Sequence, residues 1–415
     1  MTDGPSLGVF EGVGIELEYA LVDRHDLSCR PVADQLLQSA SDSNEGDVSE
    51  VQRGLYGWSN ELVMHVIEIK NLEPNDELAA LAIGFQEQVR TIATLLDGLE
   101  CRLLPSAMHP WMNPSTDSAL WPHGNAEIYQ AYAAVFDTTT HGWRNLQSMH
   151  VNLPFANDAQ FARLHAAIRL MLPILPALAA SSPIADGRYT GFVDYRMEVY
   201  RTNTDGFKTI AGKVIPDNAS SRAEYEQKIL APMYREIAPH DAAGILQHEW
   251  LNSHGAIARF DRNAIEIRVL DTQECPRADL AIAAAVIASV EYLYDEGPQA
   301  LDGQHALSTL ALSEIFLQCI RDGERAVIRN PAYLKMLGYP GRQCEARVLW
   351  RYLIERMMRE DPAMLIWNGP LQHILDQGPL SRRIGRAVGA NCDRERINDV
   401  YGRLCDCLQN SALFP

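Results

Sequence analysis

Positive charge is scarce in this chain. Lys and Arg number 36 against 54 Asp and Glu, a formal net charge of −18. That balance excludes a basic nucleic-acid face as the main business of the protein. It also repels a polyphosphate such as ATP unless divalent metals stand between. Cysteine is sparse and scattered: eight residues, no CxxC and no disulfide-like density, which points to a reduced, cytoplasmic setting. The opening Met1-Thr2-Asp3-Gly4-Pro5 carries neither the basic nor the apolar part of a signal peptide. The longest uncharged run, residues 170–185, is too short to span a bilayer and is broken by Pro173, Pro176 and Pro183. Neither a membrane nor a nucleic acid is therefore expected as a partner. Several catalytic signatures are missing as well: GxxxxGK[ST], HExxH and GxSxG. Gly12-Val13-Gly14 is followed by Glu16 rather than by the further glycine of a dinucleotide turn.

What remains is an ordinary globular composition, 47% apolar and 22% charged over 415 residues, enough for a large core. There is no internal repeat and no Gly/Ser linker. Ile15, Leu17, Tyr19 and Leu21 alternate with Glu16, Glu18, Ala20 and Val22, the pattern of a half-buried strand. Residues 25–53, with Asp42-Ser43-Asn44-Glu45-Gly46-Asp47, read as a polar loop. Asn75-Asp76-Glu77 opens a long amphipathic helix. Residues 147–155 alternate again, a helix follows over about 158–172, and Gly191 to Tyr200 reads as a strand. Ser221-x-x-Glu224 is a capping box. Residues 256–270 form a hairpin turning at Asp261-Arg262-Asn263. Pro276 begins a helix so apolar around Leu280 to Leu293 that it belongs in the core or at an interface; the core is expected, with self-association through another surface left open. From 307 to 410 the chain is mostly helical. Strands and helices do not alternate as βαβ units, so the fold class is α+β with an antiparallel sheet.

The chemistry-bearing residues are acids on predicted strands. Glu16 and Glu18 point to one face, where they repel each other unless a cation sits between. A pair of ligands for a hard divalent ion is one reading; a solvent-facing strand edge is the other. Glu68 lies between Ile67 and Ile69 in a strand that reads as buried, so its carboxylate needs a partner. Glu61, seven residues earlier, can join it only through a turn or bulge, and His65 reads as structural. His150 and Asn152 share the polar face of their strand, as Glu266 and Arg268 share theirs. Taken singly, a satisfied histidine and a structural ion pair explain these. No further residue has zinc-like spacing to His248, Glu249 and His254.

In combination and in order, Gly14-Ile15-Glu16-Leu17-Glu18, the Glu-x6-Glu ending at Glu68, Met149-His150-Val151-Asn152 and Glu266-Ile267-Arg268-Val269-Leu270-Asp271-Thr272-Gln273 resemble the bacterial carboxylate–amine ligases related to glutamate–cysteine ligase. Ser181-Ser182-Pro183, Gly187-Arg188 and Gly191-x-x-x-Tyr195-Arg196 are similar to the family's middle segment, and the likeness spans roughly residues 8–295. The resemblance implies a catalytic fold of the glutamine-synthetase type. In that fold a curved antiparallel sheet forms a funnel, flanked by helices, whose inner carboxylates hold magnesium. It implies ATP-dependent amide formation: a carboxylate, typically the γ-carboxylate of glutamate, takes the γ-phosphate of ATP, and an amine captures the acyl phosphate. Small amino-acid and amine substrates would be the partners, with ATP and Mg²⁺ as cofactors. Carried over by position, Glu16, Glu18, Glu61, Glu68, His150 and Glu266 would be metal ligands. Arg268 would reach the transferring phosphate, Arg196 the phosphate or the acid substrate, and Asn152 would line the pocket. Arg259 is a phosphate candidate or a surface ion pair. Where the family runs into Thr-Pro, this chain has Lys70-Asn71, expected to border the pocket. Residues 1–300 would form the catalytic core and 301–415 a helical extension packed on it. Phosphoryl transfer to a guanidino or amine nitrogen, and a non-catalytic metabolite-binding relative, are the alternatives.

Overall fold

A computed structural model describes residues 7–41, 47–296 and 298–415. Its centre is an eight-stranded sheet in which every pairing is antiparallel: β1 Gly14–Asp23, β2 Glu50–Arg53, β3 Tyr56–Asn60, β4 Val66–Asn71, β5 Cys101–Leu104, β6 Ser148–Pro154, β7 Ala256–Arg259 and β8 Ala264–Asp271. The strand order is β2-β3-β4-β1-β6-β8-β7, with β5 on the far half of β1. The helices used below are α1 Ala33–Ala40, α2 Leu78–Asp97, α3 Ala126–Val135, α4 Asp158–Met171, α5 Tyr195–Tyr200, α6 Pro276–Asp295, α7 Thr309–Asp322, α8 Ala346–Glu360, α9 Leu380–Val388 and α10 Arg394–Asn410. The fold is thus α+β: a central antiparallel sheet flanked by helices, with a helical C-terminal region. No helix among the described residues is long and apolar enough to cross a membrane.

Period-2 alternation sets the two faces of the sheet. Ile15, Leu17, Tyr19 and Leu21 of β1, with Ile67, Ile69, Met149, Val151, Ile265 and Ile267 of its neighbours, are buried in the main core. Helices α2, α4 and α6 supply Phe85, Ile92, Phe161, Ile168, Leu280 and Val286 to the same core. Each fully buried aliphatic side chain there contributes about 1.5–3 kcal/mol. Helix α6 is the core helix its composition calls for: Pro276 stands at its first turn and most of its residues are buried.

The other face of β1 changes character along its length. Ala20 and Val22 lie in a second core with Leu380, Ile384, Ile397, Val400, Tyr401, Leu404 and Phe414 of the C-terminal region. Helices α9 and α10 therefore cover the apolar half of this face, while the half bearing Glu16 and Glu18 meets a cavity.

The hairpin forms as expected: β7 pairs with β8, and Asn263 takes φ +51° at the turn, a left-handed position asparagine tolerates. Ser221 Oγ accepts from the Glu224 backbone N–H at 3.1 Å, the capping half of the Ser-x-x-Glu box. Two expectations fail. Residues 195–200 are helix, not strand, because Asp194 caps them by accepting from Met197 N at 2.9 Å and because Val193, Met197 and Tyr200 are buried at helical spacing. The stretch 25–53 is not one loop. Ala33, Leu36, Leu37 and Ala40 make a buried helical stripe, and 50–53 pairs as an edge strand. Residues 42–46 of that segment lie outside the described ones.

Candidate functional site: an acidic cavity on the open half of the sheet

Register brings the acids together. Glu16 stands opposite Lys70 on one side and His150 on the other; Glu18 stands opposite Glu68. Asn152 stands opposite Gly14 and Glu266. A bulge between Ile267 and Leu270 adds one residue to β8 and re-aims its end, the usual effect of a bulge beside a site. Glu61 follows the last residue of β3 and precedes the turn into β4, the turn required to bring it back over Glu68.

The result is a cavity of about 350 Å³ whose lining includes Glu16, Glu18, Glu61, Glu68, His150, Glu266, Lys70, Arg196, Arg259 and Arg268. Two trios of ligand atoms lie within 4.8 Å of one another: Glu16, Glu68 and His150, and Glu18, Glu61 and Glu68, with Glu68 common to both. His150 Nδ1 is 2.7 Å from Glu16 Oε2, and its Nε2 is 3.7 Å from Glu18 Oε1. Ser148 orients Glu18, donating from its backbone N at 2.6 Å and from Oγ at 3.0 Å to Oε2. Ser59 Oγ donates to Glu68 Oε1 at 2.8 Å, and Lys70 Nζ is 3.3 Å from the same oxygen.

Glu266 belongs to neither trio. Its Oε2 accepts from Arg259 Nε at 2.9 Å, and Arg268 occupies its Oε1. Arg259 bonds Glu266 through Nε, and its terminal nitrogens make no hydrogen bond among the described residues. Arg196 is 2% exposed and ion-paired with the wholly buried Asp271, which also accepts from Ser181 N and Ser182 Oγ; its terminal nitrogens donate to the Arg268 carbonyl. Asn152 donates to Glu16 Oε1 at 3.1 Å and does not itself line the cavity. Lys70 does line it, whereas Asn71 instead ties strand ends, accepting from Ile15 N and donating to the Val13 carbonyl.

Titration behaviour divides the site. Burial, then repulsion from Glu18 and Glu68, pushes the Glu61 carboxyl well above the usual carboxylate range. Burial and Glu16 raise Glu68. Burial also opposes ionisation of Glu16, but its hydrogen bond and ion pair with His150 outweigh that and lower it. Burial likewise opposes the charge on Glu266, and Arg268 and Arg259 overcome it, holding the carboxyl well below its ordinary value. Glu266 is thus held ionised by its arginines, whereas the Glu61/Glu68 end crowds carboxyls whose ionisation a bound cation would favour. Clustered carboxylate oxygens with one imidazole fit a hard divalent cation such as magnesium; they do not fit a soft metal.

Sequence reasoning missed the aromatic wall: Tyr129, Tyr132, Trp143, Tyr200 and Trp250 also line the cavity. The only signal was two tyrosines three apart in an apolar helix. It also gave Ser148, Ser59 and Asp271 no role, and side-chain hydroxyl contacts have no sequence spacing.

Residues 12–328 match the family described as glutamate–cysteine ligase family 2 (GCS2). A protein of Archaeoglobus fulgidus described only as uncharacterized is 35% identical over 286 residues, 69% of this chain and 76% of that one. A protein of Ectopseudomonas mendocina named "Putative glutamate--cysteine ligase 2" is 26% identical over 410 residues, 95% of each chain. The crystal structure of glutamate–cysteine ligase from Francisella tularensis in complex with AMP superposes with a TM-score of 0.62. It is 14% identical, over 97% of this chain and 89% of that one, so its likeness is one of fold.

Proposed function

The chain belongs to glutamate–cysteine ligase family 2, and on that premise we propose that it is an ATP- and Mg²⁺-dependent ligase that joins a carboxylate to an amine through an acyl phosphate. The observation that carries the reading is the pair of overlapping trios at the acid end of a cavity whose other end is lined with arginines. Glu16, Glu68 and His150, with Glu18, Glu61 and Glu68, would hold magnesium. When bound, the metal supplies the positive charge that phosphoryl transfer needs and that this acidic chain lacks. Glu266 would join these ligands only by releasing an arginine; as placed, it holds Arg259 and Arg268 in fixed orientation. Arg268 and the terminal nitrogens of Arg259 would then present N–H donors to the phosphate, and a planar fork suits phosphate and carboxylate alike. Arg196, braced by Asp271, lines the same cavity and would orient the acid substrate. Asn152 and Ser148 act through Glu16 and Glu18 by fixing their carboxylates. The sheet would form the curved wall of a funnel, with residues 301–415 packed on a catalytic core of residues 1–300. Glutamate as the acid and cysteine as the amine are the family's habit and the first substrates to try.

The test incubates the protein with ATP, Mg²⁺, glutamate and a panel of amines and records ADP and product mass. ADP with an amide product supports the reading. A phosphorylated amine, or no ADP with any pair, defeats it.

A further inference from the structure

Helix α3 lies over the cavity with none of its residues fully buried; Tyr129, Ala131, Tyr132 and Val135 pack partly against the core. Its sequence, Ala-Glu-Ile-Tyr-Gln-Ala-Tyr-Ala-Ala-Val, is as apolar as that of a packed helix, and a helix this short is stable only when its apolar face is covered. Two tyrosines hold it. Tyr129 and Tyr132 are three apart, share one face and line the cavity. The Tyr129 hydroxyl accepts from Asn60 Nδ2 at 3.2 Å, one residue before Glu61. The Tyr132 hydroxyl donates to the Trp250 carbonyl at 2.6 Å, in the segment leading to β7 and its Arg259. The Tyr132 ring also packs on Trp143 with centroids 5.3 Å apart. The helix is therefore pinned at both ends of the cavity by side chains that are themselves its lining. Whatever fills the cavity touches the fastenings.

We propose that α3 is a roof that closes on bound substrate, and that Tyr129 and Tyr132 are substrate-contacting residues that keep water from the activated acid; this rests on the acyl-phosphate reading above. An acyl phosphate open to solvent is lost. Water oxygen adds to the acyl carbon, the bond from that carbon to the phosphate oxygen breaks, and the acid and inorganic phosphate are released with a proton. ATP is then consumed without an amide. Excluding water is what a closing element achieves in such a site. Two phenol rings do this well, because their faces are apolar while their hydroxyls stay tied to the walls.

The test compares wild type, Tyr132→Phe and the double variant Tyr129→Ala/Tyr132→Ala. ADP and amide are measured in the same reaction, and amide hydrogen exchange of residues 126–135 is followed in the wild type with and without Mg·ATP. Wild type should form close to one ADP per amide. The ratio should rise three-fold or more in the double variant and by less in Tyr132→Phe. The double variant should melt lower, because both rings pack partly against the core, so the ratio is measured well below its melting temperature. Exchange over 126–135 should slow with Mg·ATP. An unchanged ADP-to-amide ratio in a folded double variant, or unchanged exchange, overturns the roof. If wild type releases no ADP with any acid and amine, the ligase reading has failed on its own, and exchange with Mg·ATP alone still decides whether α3 closes.

Discussion

In metal-free protein at pH 8, Glu61→Gln should be more stable than wild type. A carboxyl whose pKa is raised by folding binds its proton more tightly in the folded chain. Its stabilising contribution is therefore present below the unfolded value of about 4.3 and is lost as pH climbs through the folded one. Glu61 is such a group, raised by burial and by Glu18 and Glu68. Its ligand oxygen lies within 4.8 Å of theirs. At an effective dielectric of about 20, that separation corresponds to roughly 3 kcal/mol of repulsion per neighbour before side chains and water relax. Gln keeps the shape and cannot ionise, so a gain of about 1–2 kcal/mol should survive relaxation. Magnesium should reverse the order. A ligand that binds only the folded chain adds about 2.7 kcal/mol at a hundredfold excess over its dissociation constant, and the neutral amide should forfeit most of that. Urea unfolding at pH 8, once in EDTA and once in saturating magnesium chloride, reads both effects. A Glu61→Gln protein weaker than wild type in EDTA, or one with an undiminished magnesium gain, would refute the reasoning.

Glu16→Gln should behave oppositely without metal. Glu16 is stabilised by His150, so the variant should lose about 1–3 kcal/mol in EDTA unfolding, and with it magnesium response and turnover. Arg268→Lys keeps the charge but cannot grip Glu266 with a fork, so kcat should fall by about a hundredfold or more while the melting temperature moves little; steady-state kinetics beside a melt would show it. His109 is wholly buried and neutral, with Nε2–H donating to the Leu27 carbonyl and Nδ1 accepting from the Trp111 and Met112 N–H groups, and burial lowers its pKa to about 4. The unfolded chain takes up that proton near ~6.5 and the folded chain only near 4. Stability should therefore fall by up to about 3 kcal/mol as pH drops between those values, and an acid titration of His109→Gln should be flatter in that window.

Much of this site could be read in one dimension because strands convert alternation into faces. Glu16 with Glu18, and His150 with Asn152, each needed only a period of two, and the structure sets Glu16 against His150 by register. The turn demanded between Glu61 and Glu68 is present for the same reason: two acids seven apart in a strand-like segment can meet only across a hairpin. What could not be read was set by tertiary packing. Gly191 to Tyr200 alternates well enough for a strand, but a buried aspartate cap at Asp194 settles the last residues as helix. Glu266 shares a strand face with Arg268, yet the strand pattern does not say that Arg259 from the neighbouring strand takes its second oxygen. The tyrosines of α3 were hidden for a further reason. A helix covering a cavity has the composition of a core helix, and nothing in its sequence marks which kind of space it faces.

The measurement that tests the central claim most directly follows an oxygen atom. Glutamate, or whichever acid supports turnover, is supplied with ¹⁸O in its reacting carboxylate together with ATP, Mg²⁺ and the amine, and the phosphate released is examined by ³¹P NMR. If the carboxylate takes the γ-phosphoryl group and the amine then displaces it, one carboxylate oxygen leaves with the phosphate. The account predicts one ¹⁸O in each phosphate formed with amide. Amide formed alongside unlabelled phosphate would contradict it.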